Sequence, residues 1–124
     1  MIDLTTYRLV HIVGLAVTML AIGALTMHAR AGAENPPASQ GARKAATMAH
    51  GLGLVLMLVG GFGGLARLGA GWPTWVIIKM GVWVLLGGLP VLIKRKPAQA
   101  TAFFWITAAL VVIAGASAAF KPFA

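Results

Sequence analysis

Four long apolar stretches, separated by short segments rich in basic residues, proline and glycine, limit this chain more than any other feature. A membrane-crossing helix needs about 20 consecutive apolar residues. Four such helices would consume nearly the whole sequence and leave no length for a separate soluble domain. Composition agrees, since 10% of the residues are charged where a soluble domain carries roughly 25%, and the mean hydropathy is +0.91. The reading is an all-α integral membrane protein, an antiparallel four-helix bundle forming one domain over residues 1–124, with spans at about 7–29, 45–67, 73–93 and 98–120.

The first apolar run extends from Leu9 to Met27, with Tyr7 and Arg8 as interface anchors at its mouth. Ala29-Arg30-Ala31 resembles a signal-peptidase site, but the apolar run is too long and its leader too weakly basic for a cleaved leader. The segment from Arg30 to Lys44, with paired prolines and charges of both signs, reads as an exposed loop. The second span, from Ala45 to Ala66, contains His50 and a series of glycines. Gly69 to Gly71 form a tight turn, Trp72 is a belt aromatic and Pro73 lies in the first turn of the third span. Lys79 lies inside that span and Pro90 near its end. Lys94-Arg95-Lys96-Pro97 then breaks the pattern before the fourth span.

The formal net charge of +8 would suggest nucleic acid if the chain were soluble. Here Arg30, Arg43, Lys44, Lys94, Arg95 and Lys96 all fall in the two loops of one side, against Arg8, Arg67 and Lys121 on the other. That is topology-setting charge, so no nucleic-acid partner is expected. It places both termini on the non-cytoplasmic side, of what would be a bacterial inner membrane.

Polar groups inside a bilayer mark function, because a charge near the centre costs roughly 2.5–3.5 kcal/mol on insertion scales. The candidates are His11, His50 and Lys79, with His28 at one boundary and Thr18, Thr107 and Ser117 as hydroxyls able to bond back to their own helices. Depth along the helices puts His11, Lys79 and Ser117 in one layer and His50 with His28 in a second. His11 and His28 stand roughly 26 Å apart along one helix and cannot share a site. Each has a plainer reading: His11 as a hydrogen-bonded helix contact, Lys79 as a snorkelling lysine and His28 as an interfacial cation at a helix C-terminus. His50, deeper and beside the glycines, is the stronger ligand candidate.

Gly53, Met57, Gly60 and Gly64 recur on the flank that carries His50, and Ala108, Val112, Gly115 and Ala119 make a second shallow stripe on the fourth span. Such faces let helices approach closely in lipid; a planar macrocycle needs the same clearance. A carboxylate-driven pump is excluded, since Asp3 and Glu34 are the only acids and both lie outside the spans. Zero cysteines exclude thiol catalysis and iron–sulfur ligation. A zinc site would need three imidazoles in one place, which their depths forbid.

Val10-His11-Ile12-Val13 at the start of the first span and Trp75-Val76-Ile77-Ile78-Lys79-Met80-Gly81 at the start of the third resemble a group of small four-helix bacterial membrane proteins. That group includes the haem-associated protoporphyrinogen oxidases and the copper-resistance D proteins. The resemblance implies that His11 and Lys79 handle haem or porphyrin. The chain departs from the group in lacking tryptophan in its first span, in its proline-rich first loop and in the glycines of its second span.

Two functions are therefore expected. In one, the bundle holds a b-type haem or porphyrin for membrane electron transfer. His11 and Lys79 then lie on one side, His50 with His28 on the other, His50 or His11 is the metal ligand, and a quinone or porphyrin is the partner. In the other, it is a non-catalytic accessory subunit of a larger membrane complex, or an oligomer, packed through its Gly/Ala faces.

Overall fold

A computed structural model describes residues 3–31, 37–69 and 71–120, with the side chains of 37–40 and 117–120 excepted. These residues form four long helices: α1 (Leu4–Ala31), α2 (Pro37–Leu68), α3 (Thr74–Arg95) and α4 (Ala100–Phe120), with a 3₁₀ turn at Pro97–Gln99 ahead of α4. No strand occurs among them. Each of the four helices is long and apolar enough to cross a membrane.

Local chemistry sets the helix ends. Asp3 precedes α1 and its carboxylate accepts the Thr6 N–H at 2.8 Å, an N-cap that satisfies a first-turn amide left without a helical partner. Between α2 and α3 the chain reverses at Gly69 (φ 63°) and Gly71 (φ 69°), left-handed conformations that glycine adopts without steric cost. Pro73 is extended, with ψ 161°, and hands the chain to Thr74. It thus precedes the first helical turn that the sequence assigned to it. Lys96 ends α3 with its N–H on the Leu92 carbonyl at 2.9 Å, and Pro97 opens the 3₁₀ turn.

The largest departure from the sequence reading is the start of α2. Part of the segment that the sequence predicts to be an exposed loop, from Pro37 to Lys44, is helical. Proline suits the first position of a helix because its missing N–H would have no partner there. A helix that leaves the apolar zone also needs no apolar residues in its outer turns, so hydropathy is silent about where it begins. The stretch of α2 long and apolar enough to span is Gly41–Leu68.

The most extensive contact in the fold is between α1 and α2, followed by α3 with α4. Tyr7 lies over Gly63, His11 against Gly60, Gly14 against Met57 and Thr18 against Gly53; positions on α2 fall as those on α1 rise. The approach is close enough that a Cβ built on Gly14 would lie 2.6 Å from the Met57 nitrogen and 2.7 Å from the Gly53 oxygen. A Cβ on Gly60 would lie 2.6 Å from the Tyr7 oxygen and closer still to the His11 nitrogen. These distances are shorter than side-chain carbons tolerate, so glycine is what allows the two backbones to touch. The core then closes with Ile22, Leu25, Met57, Val82, Leu86, Leu89, Ile93 and Ala100.

Candidate functional site

The buried hydroxyls bond within their own helices. Thr18 donates to the Gly14 carbonyl at 2.8 Å and Thr107 to the Phe103 carbonyl at 2.9 Å, the back-bonding expected of hydroxyls with no water to meet. The side chain of Ser117 lies outside the described residues.

Three nitrogen-bearing side chains instead reach between helices, and each of the three reaches a backbone carbonyl. His11 Nδ1 lies 2.8 Å from the Met57 carbonyl of α2. His50 Nε2 lies 3.0 Å from the Leu86 carbonyl of α3. Trp83 Nε1 donates to the Leu54 carbonyl of α2 at 3.1 Å. Because a carbonyl can only accept, these distances fix the tautomers: His11 carries its proton on Nδ1 and His50 on Nε2.

The Leu86 carbonyl explains His50. In a regular helix the carbonyl of residue 86 accepts from the N–H of residue 90, but residue 90 is proline and has no N–H. An unsatisfied carbonyl in an apolar interior is costly, and in lipid no water relieves it. Leu86 is 3% exposed and His50 4% exposed, so the imidazole N–H is the donor that replaces the missing one. His50 thereby ties α2 to α3 at the level of Pro90.

His11 differs. It is half-buried, its Nδ1 edge faces α2 beside Gly61, and its Nε2 edge turns away from Met57. Gly61 leaves room for the ring: a Cβ there would lie 3.3 Å from His11 Nδ1. Lys79 of α3, also half-buried, is near enough for its charge to act on the imidazole. Among the described residues the one carboxylate is Asp3, which caps α1 and lies in the field of Arg67.

The sequence-predicted residues therefore divide. His11 and Lys79, from α1 and α3, lie within range of each other's charge, with no direct contact between them among the described residues. His50 lies seven residues from Met57 along α2, roughly 10 Å from the level of His11. His28 lies ten residues beyond Thr18, whereas His50 is a turn past the opposing Gly53, so His28 and His50 also differ in level by roughly 10 Å instead of sharing a layer. The glycine flank of α2 is filled by the α1 backbone and offers no clearance for a macrocycle. Among the described residues, no three His, Asp or Glu side chains gather as a metal-binding group.

Trp83 was not singled out from the sequence. Its signal was available, since an indole N–H inside a span must find an acceptor. Nor was the pairing of Arg30 Nη1 with Thr101 Oγ1 at 3.0 Å, which joins the end of α1 to the start of α4.

In comparisons with known proteins the chain matches no family model, no curated protein and no solved structure.

Proposed function

We propose that the chain is a small integral membrane protein, an antiparallel four-helix bundle of a bacterial inner membrane with both termini on the non-cytoplasmic side. In this reading it binds a b-type haem or porphyrin at the His11–Lys79 pair and serves electron transfer between lipid-soluble partners such as quinones. The observation that carries the reading is the His11 imidazole, anchored through Nδ1 on the Met57 carbonyl at 2.8 Å and only half-buried, with Lys79 of α3 in range of its charge.

The donor set fits such a group. A ligating histidine usually gives its other ring N–H to a carbonyl or carboxylate, which fixes the tautomer and aims the lone pair. His11 does this through Nδ1 and Met57, leaving Nε2 as the ligating nitrogen. Lys79, with no carboxylate of its own among the described residues, would pair with an acidic substituent of the ring. A haem held there would supply one-electron chemistry. What the chain itself does is bind and orient: Met57 and Gly61 hold the His11 ring, and the apolar spans keep water from Lys79. His50 is assigned the carbonyl of Leu86, not the ligand role that its depth first suggested, and His28 is left outside the site.

Absorption spectroscopy tests this. Gently solubilised protein from haem-replete cells is expected to show a Soret band that His11→Ala abolishes and His50→Ala retains. Colourless wild-type protein refutes the cofactor.

A second reading, an accessory subunit of a larger membrane complex, is favoured by the coverage of α4, which is the least buried of the four helices. Val112 is 69% exposed and Gly115 has open space beside it. Gly53, Gly60 and Gly63 of α2 are covered by α1, so α4 is the face such a partner would use. In native electrophoresis this reading requires co-migration with a large assembly that Gly115→Leu breaks.

A further inference from the structure

The contacts bring the C-terminal end of α1 beside the start of α4, through Arg30 with Thr101 and Gly23 with Phe104. That end of the fold carries Arg30, Arg43, Lys44, Lys94, Arg95 and Lys96, and no described carboxylate lies there. Within it Ala29, Arg30, Pro97, Ala98 and Thr101 line an open hollow of about 450 Å³. Arg30 is the one charged side chain of that lining. One of its N–H groups holds the Thr101 hydroxyl, which stations the guanidinium across the hollow with no other hydrogen-bond partner among the described residues. A planar guanidinium is suited to phosphate, which it meets through two parallel N–H bonds.

We propose that this hollow binds the headgroup phosphate of an anionic phospholipid. The location decides between a lipid and a free anion: the hollow sits where two membrane-length helices end, at the depth of headgroups. Among its lining residues Arg30 and Thr101 alone carry polar side chains, too few donors to hold a free, fully hydrated phosphate. Lys94, Arg95 and Lys96, all exposed at the end of α3, raise the local concentration of anionic lipid, as basic residues next to a membrane span do. Arg30 then gives the site its position. The proposal rests on the membrane reading but not on the tetrapyrrole.

The test is lipid retention. The full chain is reconstituted in nanodiscs of phosphatidylcholine containing phosphatidylglycerol, extracted in mild detergent and weighed by native mass spectrometry. Phosphatidylglycerol is expected to stay bound preferentially. Arg30→Gln should lower its retention on the order of five-fold, the effect of one cationic contact at an anionic surface. Lys44→Gln, at the same end but outside the hollow, should lower it clearly less than Arg30→Gln does, because it removes general attraction to anionic lipid and no contact within the hollow. Thr101→Ala, which frees the guanidinium without removing charge, should give an intermediate loss. Equal retention of the two lipids overturns the proposal, as does a Lys44→Gln loss matching that of Arg30→Gln, which would mean diffuse charge and no site. Inorganic phosphate binding to the detergent-solubilised chain as tightly as the lipid assigns the hollow to a free anion and also overturns it. A chain that does not enter nanodiscs removes the membrane reading and this proposal together, whereas loss of the Soret band leaves lipid retention untouched.

Discussion

If His50 replaces the donor that Pro90 lacks, its removal should be costly only while residue 90 remains proline. In the native chain the Leu86 carbonyl is held by the imidazole at 3.0 Å, and Leu86 is 3% exposed, so no solvent substitutes. His50→Ala leaves that carbonyl without a donor. Orphaning a buried polar group costs about 1–3 kcal/mol in soluble proteins, while polar contacts between membrane helices measure about 0.6 kcal/mol on average and up to about 1.7. The expected penalty for the orphaned carbonyl is therefore about 1 kcal/mol. His50→Ala also deletes packed volume, but that loss is common to both backgrounds.

Pro90→Ala restores an N–H in register with the Leu86 carbonyl. In that background His50→Ala no longer orphans anything. The double-mutant cycle should return a coupling of about 1 kcal/mol, with His50→Ala more destabilising in the native chain. Unfolding in mixed micelles, followed by helical circular dichroism, measures all four corners. A cost for His50→Ala that agrees in both backgrounds within about 0.3 kcal/mol refutes the reasoning. The same variants separate this duty from a ligand duty. A haem held by His50 would be lost on His50→Ala in either background, whereas repair of an orphaned carbonyl leaves the spectrum alone.

Gly60→Leu and Gly53→Leu place carbon where the α1 backbone lies and should destabilise by more than the usual 1–3 kcal/mol of overpacking. Gly81→Ala and Gly88→Ala, which open into free space, should stay within about 1 kcal/mol of the native chain; equal losses at all four positions in the same unfolding assay would show that α1 and α2 do not pack as described. Met57 offers a backbone carbonyl to His11, so Met57→Leu should retain any Soret band and Gly61→Val, crowding the ring, should shift or remove it; the reverse pattern would identify the Met57 thioether as the ligand. The Asp3 carboxyl is held below the usual carboxylate range by the Thr6 N–H, then by the Thr6 hydroxyl and the Arg67 charge. Its folded pKa lies below its unfolded one, so the cap is in force above the ordinary carboxylate range and is lost as pH falls through the lowered value. The Thr6 amide resonance should follow that titration, and a Thr6 amide indifferent to pH would show that the cap is not made.

The number of long helices was legible because hydropathy alone reports it, and the α3 and α4 boundaries moved little because Pro73 and Pro97 mark them chemically. The α2 start was not, since its first turns are polar and nothing in an apolar window registers Pro37. The α2 glycines were legible as a flat face, but a sequence does not say what covers such a face. Its occupant is the α1 backbone, which the packing of Gly14 and His11 against α2 supplies. The duty of His50 was half legible. Pro90 announces that the carbonyl four residues earlier lacks its donor, yet the sequence names no replacement, because the answer depends on the offset between α2 and α3.

Accounting for those duties narrows the chemistry. Inside a bilayer, every polar side chain must be explained either by what it repairs or by what it binds. Thr18 and Thr107 are accounted for by their own helices, Trp83 by the Leu54 carbonyl and His50 by the gap at Pro90. His11 is different in kind, because the Met57 carbonyl sits mid-helix, four residues before Gly61, whose N–H already serves it. The His11 bond therefore repairs nothing; it only orients the ring. Lys79 makes no hydrogen bond or ion pair among the described residues, and it lies inside α3 instead of in its first or last turn. If the proposed function holds, His11→Ala and Lys79→Gln should therefore alter it, and the more deeply buried His50 should matter to stability alone.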